Sequence, residues 1–193
     1  MADAGRVIAG SARGVRLAAP GAGTRPLADR VKQTLFAILE PALPGATVLD
    51  LYAGSGAAGI EALSRGAGRA VFVDHDAGAV RAIGENLRRT GLEGRGRVVR
   101  RDALAWLAAP DGAASDGPFD LVVVDPPYAD TAGLARALEL VTPHVRPGGR
   151  VVAKHFWRDP PAPPPGLLAS GRERRFGETT LTFYRRAEEA SEA

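Results

Sequence analysis

The residues best suited to chemistry stand together as Asp125-Pro126-Pro127-Tyr128, directly after the apolar run Leu121-Val122-Val123-Val124. Two consecutive prolines fix the backbone and remove two N–H donors. The turn then presents acceptors, namely the Asp125 carboxylate and the backbone carbonyls, beside an aromatic ring on a rigid support. An exocyclic amine of a nucleic-acid base is complementary to this arrangement. Its two N–H groups donate to the Asp125 carboxylate and the Pro126 carbonyl, which aims the nitrogen lone pair at an incoming electrophile. Tyr128 stacks on the face of the base. Direct in-line displacement by such an amine at an electrophilic methyl carbon depends above all on positioning, so neither a metal nor a strong general base is expected. A base held in a stacked or folded strand must be turned out to reach the turn. The plain alternative is a proline-rich turn that only ends a core strand.

A second group is Gly54-Ser55-Gly56-Ala57-Ala58-Gly59, with G-x-G-x-x-G spacing between a predicted strand and a predicted helix. Asp74 lies 18 residues beyond Gly56, at the end of the next predicted strand. An acid there accepts hydrogen bonds from ribose hydroxyls, so the context implies a cofactor containing adenosine. A dinucleotide would bring its pyrophosphate to this loop, where Asp50 would repel it. S-adenosylmethionine carries an ammonium and a sulfonium, and a carboxylate favours both. The alternative for Asp50 is a cap on the loop through backbone N–H groups. Asp102 is placed to accept from an adenine amino group, with the small Ala103 admitting the ring; it is equally suited to capping the helix that follows, and the two roles are compatible. Ser55 lacks the flanks of a nucleophile elbow and reads as a loop residue. His75, His144 and His155 lack metal-ligand spacing, so no metal is expected. With no cysteine in the chain, disulfides, thiolate metal sites and a Cys nucleophile are excluded.

The elements needed to position these groups alternate between strand and helix. Strands are predicted at Val7-Ile8 and Val15-Arg16-Leu17, then over 47–51, 70–74, 98–100, 119–124 and 150–153. Helices are predicted over 29–39 with Asp29 as N-cap, 59–64, 77–89, 103–107 and 131–140. Gly112 to Gly117 reads as a surface loop, and Pro147-Gly148-Gly149 as a turn before the fifth strand of the alternation. Pro160 to Gly166 is a connector that is neither helix nor central strand. Residues 172–176 and 179–184 form a final antiparallel pair joined at Gly177-Glu178. Such alternation implies an α/β fold with a mostly parallel sheet and helices on both faces. Its ligands bind beyond the carboxyl ends of the strands, where Asp50, Asp74, Asp102 and Asp125 fall. Trp106 is expected in the core. Trp157, beside Phe156 and Arg158, is suited either to touching RNA or to packing against the connector.

The chain has 193 residues, a hydrophobic fraction of 45% and a net charge of +3. Its cations are unevenly distributed. Residues 1–36 hold Arg6, Arg13, Arg16, Arg25, Arg30 and Lys32 against only Asp3 and Asp29, and Arg172, Arg174, Arg175, Arg185 and Arg186 form a second cluster. A basic arm of this kind suits phosphate contacts, and a solvated, salt-bridged surface is the alternative. No stretch is apolar enough to span a bilayer and no secretory h-region is present, so cytoplasmic residence is expected; a monomer is expected as well. The expected division is a basic extension over 1–40 packed on the core, a catalytic domain over 41–187, and a disordered tail over 188–193.

From about residue 6 to 184 the chain resembles the bacterial 16S ribosomal RNA guanine-N2 methyltransferases of the small-subunit methyltransferase D type. The resemblance rests on Arg6-Val7-Ile8-Ala9-Gly10 through Arg13-Gly14 to Leu17, on Arg25-Pro26 with Asp29-Arg30-Val31 and Leu35-Phe36-Ala37-Ile38-Leu39, on Asp50-Leu51-Tyr52-Ala53-Gly54-Ser55-Gly56, on Asp125-Pro126-Pro127-Tyr128, and on Phe176-Gly177-Glu178-Thr179. It implies a Rossmann-like class I S-adenosylmethionine-dependent methyltransferase fold, with Tyr52 and Ala53 in the cofactor loop. It also implies guanine 966 of 16S RNA as target, N2-methylguanine as product, RNA binding by the basic arm, and an assembling small subunit as substrate. Three positions depart from the family pattern. Leu27 stands where Thr is usual, Lys32-Gln33 replaces an Arg-Glu pair, and Lys154 stands where an acid commonly follows the fifth strand. Rival readings are transfer to adenine N6, cytosine N4 or a protein amide, an oxidoreductase binding a dinucleotide, and a non-catalytic RNA-binding module.

Overall fold

The computed structural model describes residues 3–21 and 28–188, without the side chains of 168–171. Arg25, Leu27 and the tail from 189 onward lie outside the described residues. The chain opens on a hairpin of β1 (Asp3–Arg6) and β2 (Arg16–Ala18). The first strand precedes the expected Val7-Ile8, although Val7 still belongs to the hairpin: its N–H donates to the Val15 carbonyl at 2.9 Å and its own carbonyl accepts from Gly14. Helix α1 (Asp29–Leu39) buries Val31, Leu35, Phe36 and Leu39, the stripe read from their spacing. Its cap is Ala28, not Asp29. Asp29 instead starts the helix, and its carboxylate pairs with Lys32 and Arg6.

Strands and helices then alternate as β3 (Thr47–Leu51), α2 (Ala57–Ser64), β4 (Arg69–Asp74), α3 (Ala77–Thr90) and β5 (Gly96–Arg100). The three strands lie in the order β5-β4-β3 and pair in parallel, Thr47 opposite Arg69 and Ala70 opposite Gly96. A parallel strand with a neighbour on each side is covered on both faces, so Ala70 to Val73 are all buried and no alternation appears. Asp76 caps α3 by accepting from Ala79 N–H at 2.8 Å, and Gly91, at φ 66°, closes the helix. These elements form one compact unit, Met1–Ala103, and the remainder forms a second, Leu104–Ala193.

The later elements are α4 (Ala103–Ala108), α5 (Ala113–Asp116), β6 (Phe119–Val124), α6 (Thr131–Val141), β7 (Val145–Phe156), β8 (Leu167–Phe176) and β9 (Thr179–Arg186). Their strand order is β6-β7-β9-β8, with β6-β7 parallel and the pairings of β9 antiparallel. Two expectations change here. The supposed loop over 112–117 contains α5, a single turn that buries Ala113 and Asp116. Strand β7 also begins at Val145, ahead of Pro147-Gly148-Gly149. Phe119 faces Val145 but Leu121 faces Arg150, so those three residues form a bulge within the strand rather than a turn before it. Trp106 is in the core at 2% exposure. Among the described residues, no helix is long and apolar enough to cross a membrane.

Candidate active site

The glycine loop links β3 to α2 in the first unit. Gly56 N–H donates to Ala53 O at 2.7 Å, and Gly56 takes φ 75° at the cap of α2. A side chain there would be strained. Gly59 is needed for a different reason, since a Cβ on it would run into the buried ring of Phe72. Tyr52, at φ 58°, is the one non-glycine residue with positive φ among the described residues, a strained position of the kind that clusters at ligand sites. Two carboxylates shape the loop. Asp74 accepts from Gly54 N–H through Oδ2 at 2.8 Å and from Asp76 N–H through Oδ1 at 2.9 Å. Asp50 is 2% exposed and accepts from Gly59 N–H at 2.9 Å, bracing the first turn of α2. Asp102 is exposed and Ala103 buried at the start of α4.

In the second unit, the Asp125-Pro126-Pro127-Tyr128 turn follows the last residue of β6. Asp130 N–H donates to Pro127 O at 2.9 Å, and Asp130 Oδ1 caps α6 through Gly133 N–H at 2.9 Å, so the turn is anchored to the next helix. Among the described residues the Pro126 carbonyl has no hydrogen-bond partner. The Tyr128 hydroxyl shares a short hydrogen bond with Thr179 Oγ1, and its ring lies 6.3 Å from that of Phe156. Lys154 Nζ lies 2.5 Å from Asp125 Oδ1 and 5.3 Å from the centroid of the Tyr128 ring. Burial pushes the Asp125 carboxyl above its ordinary value, and the Lys154 ammonium opposes that rise without cancelling it.

Residues 5–185 match the family described as conserved hypothetical protein 95. The chain belongs to this family. It is 36% identical to the "Putative rRNA methyltransferase YlbH" of Bacillus subtilis over 184 residues, 94% of this chain and 98% of that protein. "Ribosomal RNA small subunit methyltransferase D" of Escherichia coli is 41% identical over 124 residues, 64% of this chain and 60% of that relative. The solved structure of "Putative methyltransferase yhhF from Escherichia coli" matches with a TM-score of 0.81 at 33% identity, over 95% of this chain and 98% of that one. The fold is therefore the Rossmann-like class I methyltransferase fold, and the resemblance read from the motifs agrees with these names at the level of a small-subunit ribosomal RNA methyltransferase D.

Within this family member the basic arm is only partly available to a partner. Arg13 and Arg30 are exposed, with no ion pair among the described residues. Arg6 and Arg16 are exposed but paired with Asp29 and Asp3. Lys32 must be withdrawn from the phosphate-binding candidates, because its side chain is fully buried and its ammonium reaches Arg6 O at 2.5 Å and Asp29 at 3.2 Å. His155 is satisfied, Nδ1 against Phe156 O and Nε2 against Thr182 Oγ1, each at 2.8 Å. Two buried residues were not foreseen. Glu61 accepts from Ile8 and Ala9 N–H and pairs with Arg65, seating the hairpin on α2. Asn86 exchanges hydrogen bonds with both backbone groups of Ala18 and donates to Ser55 O at 2.9 Å, which ties β2 to the glycine loop. Only a polar residue on the apolar face of α3 could have signalled it.

Proposed function

We propose that the chain transfers a methyl group from S-adenosylmethionine to the exocyclic N2 of a guanine in 16S ribosomal RNA. The observation that carries the reading is the anchored Asp125-Pro126-Pro127-Tyr128 turn, with one carboxylate, one unengaged carbonyl and one pinned ring. The donor set of the loop suits this cofactor: Asp50 and Asp74 are acidic, and residues 50–59 contain no cation that would serve a pyrophosphate. Asp50, Tyr52, Ala53, Gly54, Ser55, Gly56, Asp74, Asp102 and Ala103 would hold it. When bound, the cofactor supplies an electrophilic methyl on a sulfonium. Asp125 accepts one amine N–H and the Pro126 carbonyl the other, so the nitrogen lone pair is directed rather than free to rotate. Pro127 holds that backbone rigid. Tyr128 offers its face to the base, and Thr179 fixes the angle of the ring. The catalytic domain is 41–187, and the extension over 1–40 contributes phosphate contacts from Arg6, Arg13, Arg16, Arg25 and Arg30. The names of the relatives support ribosomal RNA as substrate. The family resemblance supports the 966-type guanine and an assembling small subunit as partner, and we take the chain to act as a cytoplasmic monomer.

One observation favours a second reading. The Lys154 ammonium beside Asp125 is a donor, and it suits adenine N6 or cytosine N4, whose neighbouring ring nitrogen is an acceptor, better than the N1–H donor beside guanine N2. Transfer of labelled methyl to small-subunit RNA and particles, followed by nucleoside mass spectrometry and mapping, separates the readings. N2-methylguanine at a single position is expected. A folded protein that yields no methylated guanine refutes the first reading, and N6-methyladenine or N4-methylcytosine would install the second. Asp125→Ala abolishes transfer while leaving cofactor affinity unchanged.

A further inference from the structure

Trp157 lies just beyond β7, half-buried, and its surroundings hold it in place. Its backbone N–H donates to Glu178 O at 3.0 Å, and Asp159 N–H closes a turn on Phe156 O at 3.0 Å. Two guanidiniums lie over its ring, Arg175 at 3.8 Å and Arg158 at 4.7 Å from the centroid. Arg175 Nε donates to Gly177 O at 2.8 Å, which fixes that guanidinium as a plane. The Phe156 ring lies 6.2 Å from Trp157 and 6.3 Å from Tyr128. Three rings therefore run in succession from the candidate catalytic turn to a cationic rim. Arg158, Arg172, Arg174 and Arg175 are all exposed, and none has a carboxylate partner among the described residues.

Two guanidiniums on one indole repel each other, and no described carboxylate forms an ion pair with either. A ligand that brings both an anion and a flat ring satisfies the whole group. A phosphate takes the guanidinium donors, and a base stacks on an aromatic or guanidinium plane. An acidic peptide would supply only the anion. We infer that Trp157, with Arg158 and Arg175, is a nucleotide-stacking subsite for a nucleotide next to the target base in single-stranded RNA. The inference rests on the proposed reading that the Asp125 turn takes an RNA base. Phe156 spans the gap between the two stacking positions. The subsite acts on binding of the strand rather than on the transfer step.

The chain has two tryptophans, so Trp106→Phe leaves Trp157 as the reporter. A single-stranded RNA oligonucleotide is titrated in, with binding followed separately by the anisotropy of an end label. Stacking quenches the indole emission, while heparin, a polyanion without bases, leaves it unquenched. Trp157→Leu in the otherwise native chain supplies the same comparison by difference, whether or not Trp106→Phe folds. Trp157→Leu also raises KM for RNA about tenfold, with kcat and cofactor affinity unchanged, and Trp157→Phe restores part of the loss. RNA binding without quenching, or an unchanged KM in Trp157→Leu, overturns the subsite and leaves the RNA reading standing. RNA neither bound nor methylated by the native chain overturns the RNA reading, and the subsite with it.

Discussion

Lys154→Met removes the ammonium 2.5 Å from Asp125 Oδ1 and keeps most of the side-chain volume. Only 13% of the lysine side chain and 25% of the aspartate are exposed, so the pair lies nearer the buried limit than the surface one. Losing one partner of a buried pair costs about 3–5 kcal/mol, whereas exposed pairs are worth about 0.2–1 kcal/mol. A loss of about 2 kcal/mol is expected between these bounds. At roughly 2–4 °C per kcal/mol for a chain of this size, Tm falls by about 4–8 °C at neutral pH. The pH dependence identifies the cause. Burial already holds the Asp125 carboxyl above its ordinary value of 3.8, against the pull of Lys154, and without the ammonium nothing opposes it. A carboxyl whose folded value exceeds its unfolded value binds its proton more tightly in the native state. Stability therefore falls as pH rises from the unfolded value through the folded one. The deficit of Lys154→Met is largest near neutrality and shrinks as pH falls, vanishing below about pH 3, where the carboxyl is largely protonated in both states. The same change moves the acid limb of kcat/KM to higher pH, because only the ionised carboxylate is a pure acceptor for the amine. Calorimetric melts across this range, with a pH profile of methyl transfer, test both effects. A melting deficit that is absent, or that stays constant with pH, refutes the assignment of Lys154 as the counter-charge of Asp125.

Asn86→Ala strips partners from Ala18 N–H, Ala18 O and Ser55 O in a fully buried setting. At about 1–3 kcal/mol for each group left unsatisfied, a loss of about 3 kcal/mol or more is expected in denaturant unfolding. Cofactor affinity falls as well, because Ser55 belongs to the loop; titration calorimetry that finds native affinity in the folded variant would disprove that link. Burial, followed by the charge of Glu173, pushes the Tyr184 hydroxyl up to about 12, and that hydroxyl donates to Pro161 O at 2.8 Å. Ultraviolet titration therefore shows a late phenolic step, which Tyr184→Phe removes. The sign follows from linkage: with the native value raised, stability falls as pH climbs from 10.0 to about 12, and a titration that Tyr184→Phe leaves unchanged above about pH 11 would contradict the burial of Tyr184.

Much of the fold is legible because the parallel strands are short apolar runs with polar ends. Thr47–Leu51 and Phe119–Val124 have the predicted boundaries, since each is bounded by turn-forming residues and buried at all but one position. Misreadings occur where a local signal has two tertiary outcomes. Pro147-Gly148-Gly149 carries the composition of a turn, but in β7 the neighbouring strand absorbs it as a bulge. Ala113 to Asp116 is too short to show a helical period, and burial rather than propensity makes it a turn of helix. Asp29 has the residue type of a cap, yet pairing with Lys32 and Arg6 places it one position inside the helix.

Charge is the property that a sequence reports least completely, because residue counts do not reveal which cations are neutralised. Of the described cations in the N-terminal arm, Lys32 is buried, Arg6 and Arg16 face acids, and only Arg13 and Arg30 are unpaired. Exposed pairs of this kind are weak, so Arg6 and Arg16 remain able to exchange a carboxylate for a phosphate, but each exchange forfeits an existing contact. In the second basic cluster, Arg185 is paired with Glu188 and Arg186 donates to Pro143 and Val145 carbonyls. Arg172, Arg174 and Arg175 have no such acid, and neither does Arg158 nearby in sequence to Trp157. The uncompensated charge therefore lies along β8 and beside Trp157 as much as on the arm. A polyanion is drawn most strongly where its arrival breaks no ion pair, and in the second unit that place adjoins the ring next to Tyr128.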